Sequence, residues 1–213
     1  IITLLRDPVN GCPWDKVQTH TSIRMNFLEE AYEAVDALDL DDPVLMCEEL
    51  GDVLMQVAFH TCMEQETGRF TWEQVCDGVC QKLIERHPNI FGTQPGYEGI
   101  TDWDALKNKE KGRRTLADDL ESVPRAMPAL MRAAKLQKRA ARHGAALQGA
   151  DAAALADAAE NLQTAQPASA QAEQAVGELL FAAANLARQA GVDPEQALQK
   201  ANEAFCTATG PVA

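Results

Sequence analysis

Aromatic residues make up only 5% of this 213-residue sequence, and 19 Lys and Arg stand against 32 Asp and Glu. No stretch approaches the ~20 apolar residues that a membrane-spanning helix requires. Each shortage excludes a class of protein. Without a long apolar run there is no helical anchor, so a membrane is not an expected partner. A net charge of −13 repels nucleic acid and anionic bilayers at long range, so nucleic acid is not an expected partner either. A polyanionic substrate would need a cation as mediator. Disulfide spacing is also missing: the six cysteines, at 12, 47, 62, 76, 80 and 206, form no CxxC pair and no even framework. Reduced thiols fit a cytoplasmic location. Cys76 and Cys80, one helical turn apart, read as small residues of a buried face rather than as zinc ligands. No basic, apolar leader opens the chain, and because it begins at Ile1 the sequence also fits a piece of a longer protein.

What is present favours helices. Hydrophobic residues reach 46%, enough for one sizeable core or two small ones; β-branched runs are short, and alanine crowds the second half. An all-α fold follows. From Thr21 to Leu40, Ile23, Phe27, Leu28, Ala31, Val35 and Leu38 recur every three to four residues, predicting one amphipathic helix. Asp41, Asp42 and Pro43 supply a turn and a start signal for a second helix from about Val44 to Gln65. Two helices joined so briefly must lie antiparallel. A third helix is predicted from Trp72 to His87 and a short one from Asp102 to Lys111. The stretch from Lys107 to Arg125 is polar and turn-rich, and the boundary between residues 1–112 and 113–213 is placed there. Beyond it, helical patterns recur near 127–142, 151–163, 171–190 and 194–208, with a loop from Thr164 to Ala170. The segment ELGDVLMQVAFH from Glu49 is echoed by AVGELLFAAANL from Ala175, which reads as a degenerate tandem repeat.

The chemistry-bearing residues lie on the first two long helices. Glu29, Glu30 and Glu33 share a stripe about one turn long, and no basic residue from 25 to 47 relieves their repulsion. Glu49 and Asp52 repeat the three-residue spacing on the second helix. If the helices are antiparallel, the two acidic stripes face each other. Hard oxygen donors at that density suit magnesium, or manganese, which bridge readily to substrate phosphates. The alternative is a solvated acidic face. Apolar neighbours, Phe27, Leu28, Ala31 and Tyr32 on one helix and Leu50, Val53 and Leu54 on the other, weigh against it. His60, on an apolar helix, reads as a hydrogen-bonded core histidine.

The pattern EExxE followed by ExxD, here EEAYE at 29–33 and ELGD at 49–52, resembles the MazG family of nucleoside triphosphate pyrophosphohydrolases. LLRDPVNGCPWDKVQTH near the start, QETGRF, KLIERHPNIFG and VPRAMPALMRAAKLQKRA extend the resemblance over nearly the whole chain, in the family's order. The resemblance implies tandem MazG-like helical bundles that pair into homodimers or higher oligomers. It also implies metal held by Glu30, Glu33, Glu49 and Asp52, with Glu29 orienting or deprotonating the attacking water. Nucleoside triphosphates would be cut to monophosphate and pyrophosphate, in a role of nucleotide-pool sanitation. Lys82 and Arg86, one turn apart, are candidates for bracing the leaving pyrophosphate, or plain surface charge. Trp14, Lys16, Gln18 and His20 are candidates for the base and sugar pocket, although Trp14 also suits a role as anchor of the Gly-Cys-Pro turn.

The second copy departs from the pattern. Ala175 stands opposite Glu49, Glu178 opposite Asp52, and AAENLQ around Glu160 replaces EExxE; Ala204 and Ala208 stand opposite Lys82 and Arg86. Residues 113–213 are therefore expected to be structural or dimerising. Two rival readings remain: a non-catalytic helical module whose basic run Lys107, Lys109, Lys111, Arg113 and Arg114 docks an acidic partner or nucleotide, and an all-α enzyme restricted to dUTP.

Overall fold

The computed structural model describes residues 1–92, 106 and 110–210, and all the secondary structure among them is helical. The chain separates into two compact units, Ile1–Ile100 and Thr101–Ala213.

In the first unit, α1 (Ile2–Leu5) and a 3-10 turn (Asp15–Val17) precede three longer helices, α2 (Arg24–Asp39), α3 (Pro43–Glu66) and α4 (Trp72–Arg86). The α2–α3 turn is three residues long, with Asp41 at φ 53°. Asp42 caps α3 by accepting from the Val44 and Leu45 amides, and Pro43 stands in the first turn, where a missing N–H costs nothing. Thr71 and Gln74 form a reciprocal capping box that starts α4. α2 and α4 both pack on α3, and a small core gathers Ile23, Phe59 and Met63 with Ile2 against it. The amino-terminal arm is tied down by Arg6, which donates to the carbonyls of Asp15 and Gln18 and pairs with Glu66 at the end of α3. Gly11 is required where the chain doubles back: a Cβ there would lie 2.3 Å from the Asp7 carbonyl oxygen.

The periodicity of α2 proves to have two faces. Ala34 and Ala37 are buried, whereas Val35 and Leu38, expected inward, are exposed. On α3, Leu50 and Leu54 are 51% and 56% exposed, and Tyr32 on α2 is also exposed, so these apolar neighbours of the acids do not wall them in within the unit. Small residues at the α2–α3 contact account for this, because two alanines let the backbones approach and leave the larger side chains outside.

The second unit contains α5 (Leu116–Glu121), α6 (Ala129–Arg142), α7 (Ala152–Thr164), α8 (Ala170–Gln189) and α9 (Pro194–Thr209). α7 and α8 form a hairpin, α6 and α9 pack on α8, and α5 packs on α6. Its interior is held by polar groups as well as alanines. Asp119, 1% exposed, meets Arg139, Arg142 and His143, while Gln137 donates to the Phe181 carbonyl and Asn185 to that of Ala150. α5 begins in a Thr115–Asp118 capping box inside the stretch expected to be turn-rich; at six residues it has too few turns to show a periodicity. The helix expected from Asp102 to Lys111 lies almost wholly outside the described residues, as do Lys107 and Lys109 of the basic run.

Candidate metal centre

The short turn fixes the register of α2 against α3. Going back from Asp41 along α2 and forward along α3, Glu30 comes level with Asp52 and Gln56. Gln56 Nε2 donates to Glu30 Oε1 at 3.3 Å across the helix pair. One carboxylate oxygen from each of Glu30, Glu49 and Asp52 comes within 4.8 Å of the others, and all three residues are half-buried.

The crowding of the acids has an electrostatic consequence. The Glu30 carboxyl is pushed above its ordinary value by burial, against the Gln56 hydrogen bond, and then by the negative charges of Asp52, Glu33 and Glu29. Glu49 is raised in the same direction, by desolvation first and then by Glu33, Asp52, Glu48 and Glu30. Glu33 and Glu29 are exposed, yet Glu33 is felt at both Glu30 and Glu49, so it borders the cluster from the solvent side. Glu49 Oε2 and Gln56 Oε1 are buried with no hydrogen-bond partner among the described residues. Three convergent carboxylates, two of them, Glu30 and Glu49, with raised proton affinity, and an unsatisfied buried oxygen make a donor set that fits a hard divalent cation.

The other predicted residues fall elsewhere in the first unit. His20 is bound up at the far end of α3: its Nδ1 lies 2.7 Å from His60 Nδ1, the two rings stack with centroids 5.0 Å apart, and its Nε2 lies 2.6 Å from Glu64 Oε1. Burial and the neighbouring His20 hold the His60 imidazole below its ordinary pKa, and Phe27 tilts against that ring. Lys16 lines an open cleft of about 560 Å³ with Arg6, Asp7 and Glu66. With ~1.5 Å of rise per residue, Glu64 and Glu66 stand roughly 18 and 21 Å along α3 from Asp52. Trp14 is 57% exposed, and its carbonyl accepts from the Gln18 side chain. Lys82 is exposed on α4, and Arg86 is half-buried there.

Two participants escaped sequence reasoning. Glu48 adds its charge to Glu49, and Gln56 bonds Glu30. A signal for Gln56 was present: it stands four residues after Asp52 and seven after Glu49, on their stripe of α3.

Fold and site together define an all-helical protein with an acidic centre, of the kind that accepts hard cations, built between two antiparallel helices. The MazG nucleotide pyrophosphohydrolase domain matches residues 18–91, which contain that centre. The nucleoside triphosphate pyrophosphohydrolase of Escherichia coli K12 is 41% identical over 214 residues, covering 96% of this chain and 81% of that protein. The Thermotoga maritima nucleoside triphosphate pyrophosphohydrolase/pyrophosphatase MazG is 39% identical over 207 residues, covering 96% and 80%. A Mycobacterium tuberculosis nucleoside triphosphate pyrophosphohydrolase is 38% identical over 136 residues, covering 62% and 41%. The chain belongs to the MazG family of nucleotide pyrophosphohydrolases, hydrolases acting on phosphoanhydride bonds.

Proposed function

We propose that this chain hydrolyses nucleoside triphosphates between the α and β phosphates, releasing a nucleoside monophosphate and pyrophosphate, with magnesium held by Glu30, Glu33, Glu49 and Asp52. The observation that carries the proposal is the approach of the Glu30, Glu49 and Asp52 oxygens to within 4.8 Å of one another. Manganese satisfies the same donors.

A magnesium ion held by these carboxylates would supply charge neutralisation at the phosphate oxygens and would lower the pKa of water in the site. The protein's own groups do the rest. Glu29, next to Glu30 and exposed, takes the proton of the attacking water while the α–β anhydride bond breaks and pyrophosphate leaves. Lys82 and Arg86 brace the departing pyrophosphate. Trp14, Lys16 and His20 are the base and sugar groups of this reading, which requires their arm to approach the cluster, because only a ribose separates a base from the α phosphate and the arm stands at the far end of α3.

Residues 1–112 form the catalytic part of this reading and residues 113–213 a degenerate MazG-like repeat with a structural or dimerising role. A homodimer or higher homo-oligomer accounts for the uncovered apolar side chains of α2 and α3. Cytoplasmic action on the nucleotide pool agrees with six free thiols and with the finding that, among the described residues, no helix is long and apolar enough to cross a membrane.

The test is a panel of ribo- and deoxyribonucleoside triphosphates, dUTP included, assayed for pyrophosphate with wild type, Glu33→Gln and Asp52→Asn. Magnesium-dependent release by wild type and its loss in both variants is the expected result. Turnover that survives in Asp52→Asn, or that needs no divalent cation, sinks the reading; binding without turnover selects the interaction module.

A further inference from the structure

Gln56 is 6% exposed, and its amide reaches from α3 across to α2. A buried primary amide is costly unless it is hydrogen-bonded, so its retention at such a place calls for a partner that needs it. That partner is Glu30, which accepts from Nε2 at 3.3 Å. Only one orientation of the amide is compatible with the contact, because turning it over would set its oxygen against the carboxylate. Gln56 Oε1 is then left buried without a partner among the described residues.

We propose that Gln56 is a positioning residue of the metal centre, which fixes the Glu30 carboxylate for cation binding and thereby sets the affinity of the cluster; the proposal rests on the metal-centre reading above. The argument is one of opposing forces. Glu30 is surrounded by the like charges of Asp52, Glu33 and Glu29, which drive its side chain outward toward water. The Gln56 amide is the donor that holds it inward, and a donor on one carboxylate oxygen leaves the second uncommitted. The residue does so without adding positive charge, which would compete with the cation. Its place four residues after Asp52 keeps it on the stripe that the cluster occupies. The unpartnered Oε1 is also suited to accept from a water that a hydrated cation carries into the site.

The test uses the full chain and the metal alone. Mn²⁺ binding is measured by calorimetry for wild type, Gln56→Met and Asp52→Asn; methionine is unbranched, similar in length and a good helix former, so it removes the hydrogen bond with little change of shape. Support for a bond to a metal ligand is a loss of about tenfold or more in Mn²⁺ affinity for Gln56→Met. Affinity within twofold of wild type, even with lowered resistance to urea, reduces Gln56 to a packing residue and overturns the proposal. If Asp52→Asn also binds Mn²⁺ like wild type, the metal centre fails along with it; if only Asp52→Asn loses binding, the centre stands and the role of Gln56 falls. A second readout needs no variant to fold: in wild type the side-chain amide resonances of Gln56 should move with Mg²⁺, with the midpoint of cation binding. Resonances that stay fixed through that titration overturn the proposal as well.

Discussion

Arg6 and Glu66, sixty residues apart, meet in a two-pronged pair: Nε lies 2.6 Å from Oε1 and Nη2 2.8 Å from Oε2. The same guanidinium donates to the Asp15 and Gln18 carbonyls, so one side chain joins α1, the Gly11 loop and the end of α3. The arm that carries Trp14, Lys16 and His20 thus owes its position to this pair.

Acid titration should expose that dependence. The Arg6 hydrogen bond, then its charge, holds the Glu66 carboxyl below its ordinary 4.5. A carboxyl depressed in the fold contributes stability that is fully present above the unfolded value and is lost as pH falls through the folded one. The gap between the urea midpoints of wild type and Arg6→Met should therefore be widest near neutral pH and narrow below pH 4.5 to the part owed to the Asp15 and Gln18 carbonyl contacts. A gap that stays constant through that range would detach the effect from Glu66.

Cation binding should stabilise the fold as well as serve turnover. Any ligand that binds the folded chain alone raises its stability, by about 2.7 kcal/mol at a hundredfold excess over Kd. Melting with Mg²⁺ should therefore be higher than with a chelator, and Glu49→Gln should lose most of the difference. Equal rises in wild type and variant would mean that the ions act elsewhere.

Asp119 should be the most damaging single position in the second unit. Its carboxylate is 1% exposed and faces Arg139, itself 5% exposed, with Arg142 and His143 beside it. Removing one partner of a buried pair strands the other, at a cost of about 3–5 kcal/mol. Asp119→Ala should unfold at markedly lower denaturant, whereas Asp118→Ala, losing only the exposed N3 half of the capping box, should stay close to wild type. Denaturation curves for the two decide the ranking.

The uncovered apolar side chains predict the outcome of a charge insertion. Leu54 is more than half exposed on α3, and a glutamate there should be tolerated by the single chain. If that face joins two copies, Leu54→Glu should shift the sedimentation coefficient to that of a monomer without changing the helical spectrum. An unchanged oligomer would place the contact on another face.

Much of this was legible before any coordinates. The helices α2 and α3 are marked by periodicity and by the Asp-Asp-Pro start signal, and their antiparallel pairing by the length of the turn, so spacing alone sets the stripe of Glu29, Glu30 and Glu33 facing that of Glu49 and Asp52, without singling out which of the five converge. Periodicity reports that a face is apolar, not what covers it, which is why Val35 and Leu38 were expected inward and Ala34 and Ala37 passed unnoticed. Gln56 was hidden for a different reason: an uncharged amide gives no signal in a search for acids. His20 was read as open to substrate because its partners, His60 and Glu64, lie forty or more residues on, and contacts at such a distance leave no local trace.

The three-residue turn before Pro43 also bears on how separable fold and chemistry are in this chain. All the acids of the centre ride on a single hairpin whose closing contacts are local and quick to form, while the buried side chains of that hairpin include alanines, Phe59 and Met63 that take no part in the acidic cluster. Exchanging these carboxylates for uncharged side chains of similar shape should therefore leave the α2–α3 pairing in place. Reactivity and architecture are in that sense carried by different side chains of the same two helices.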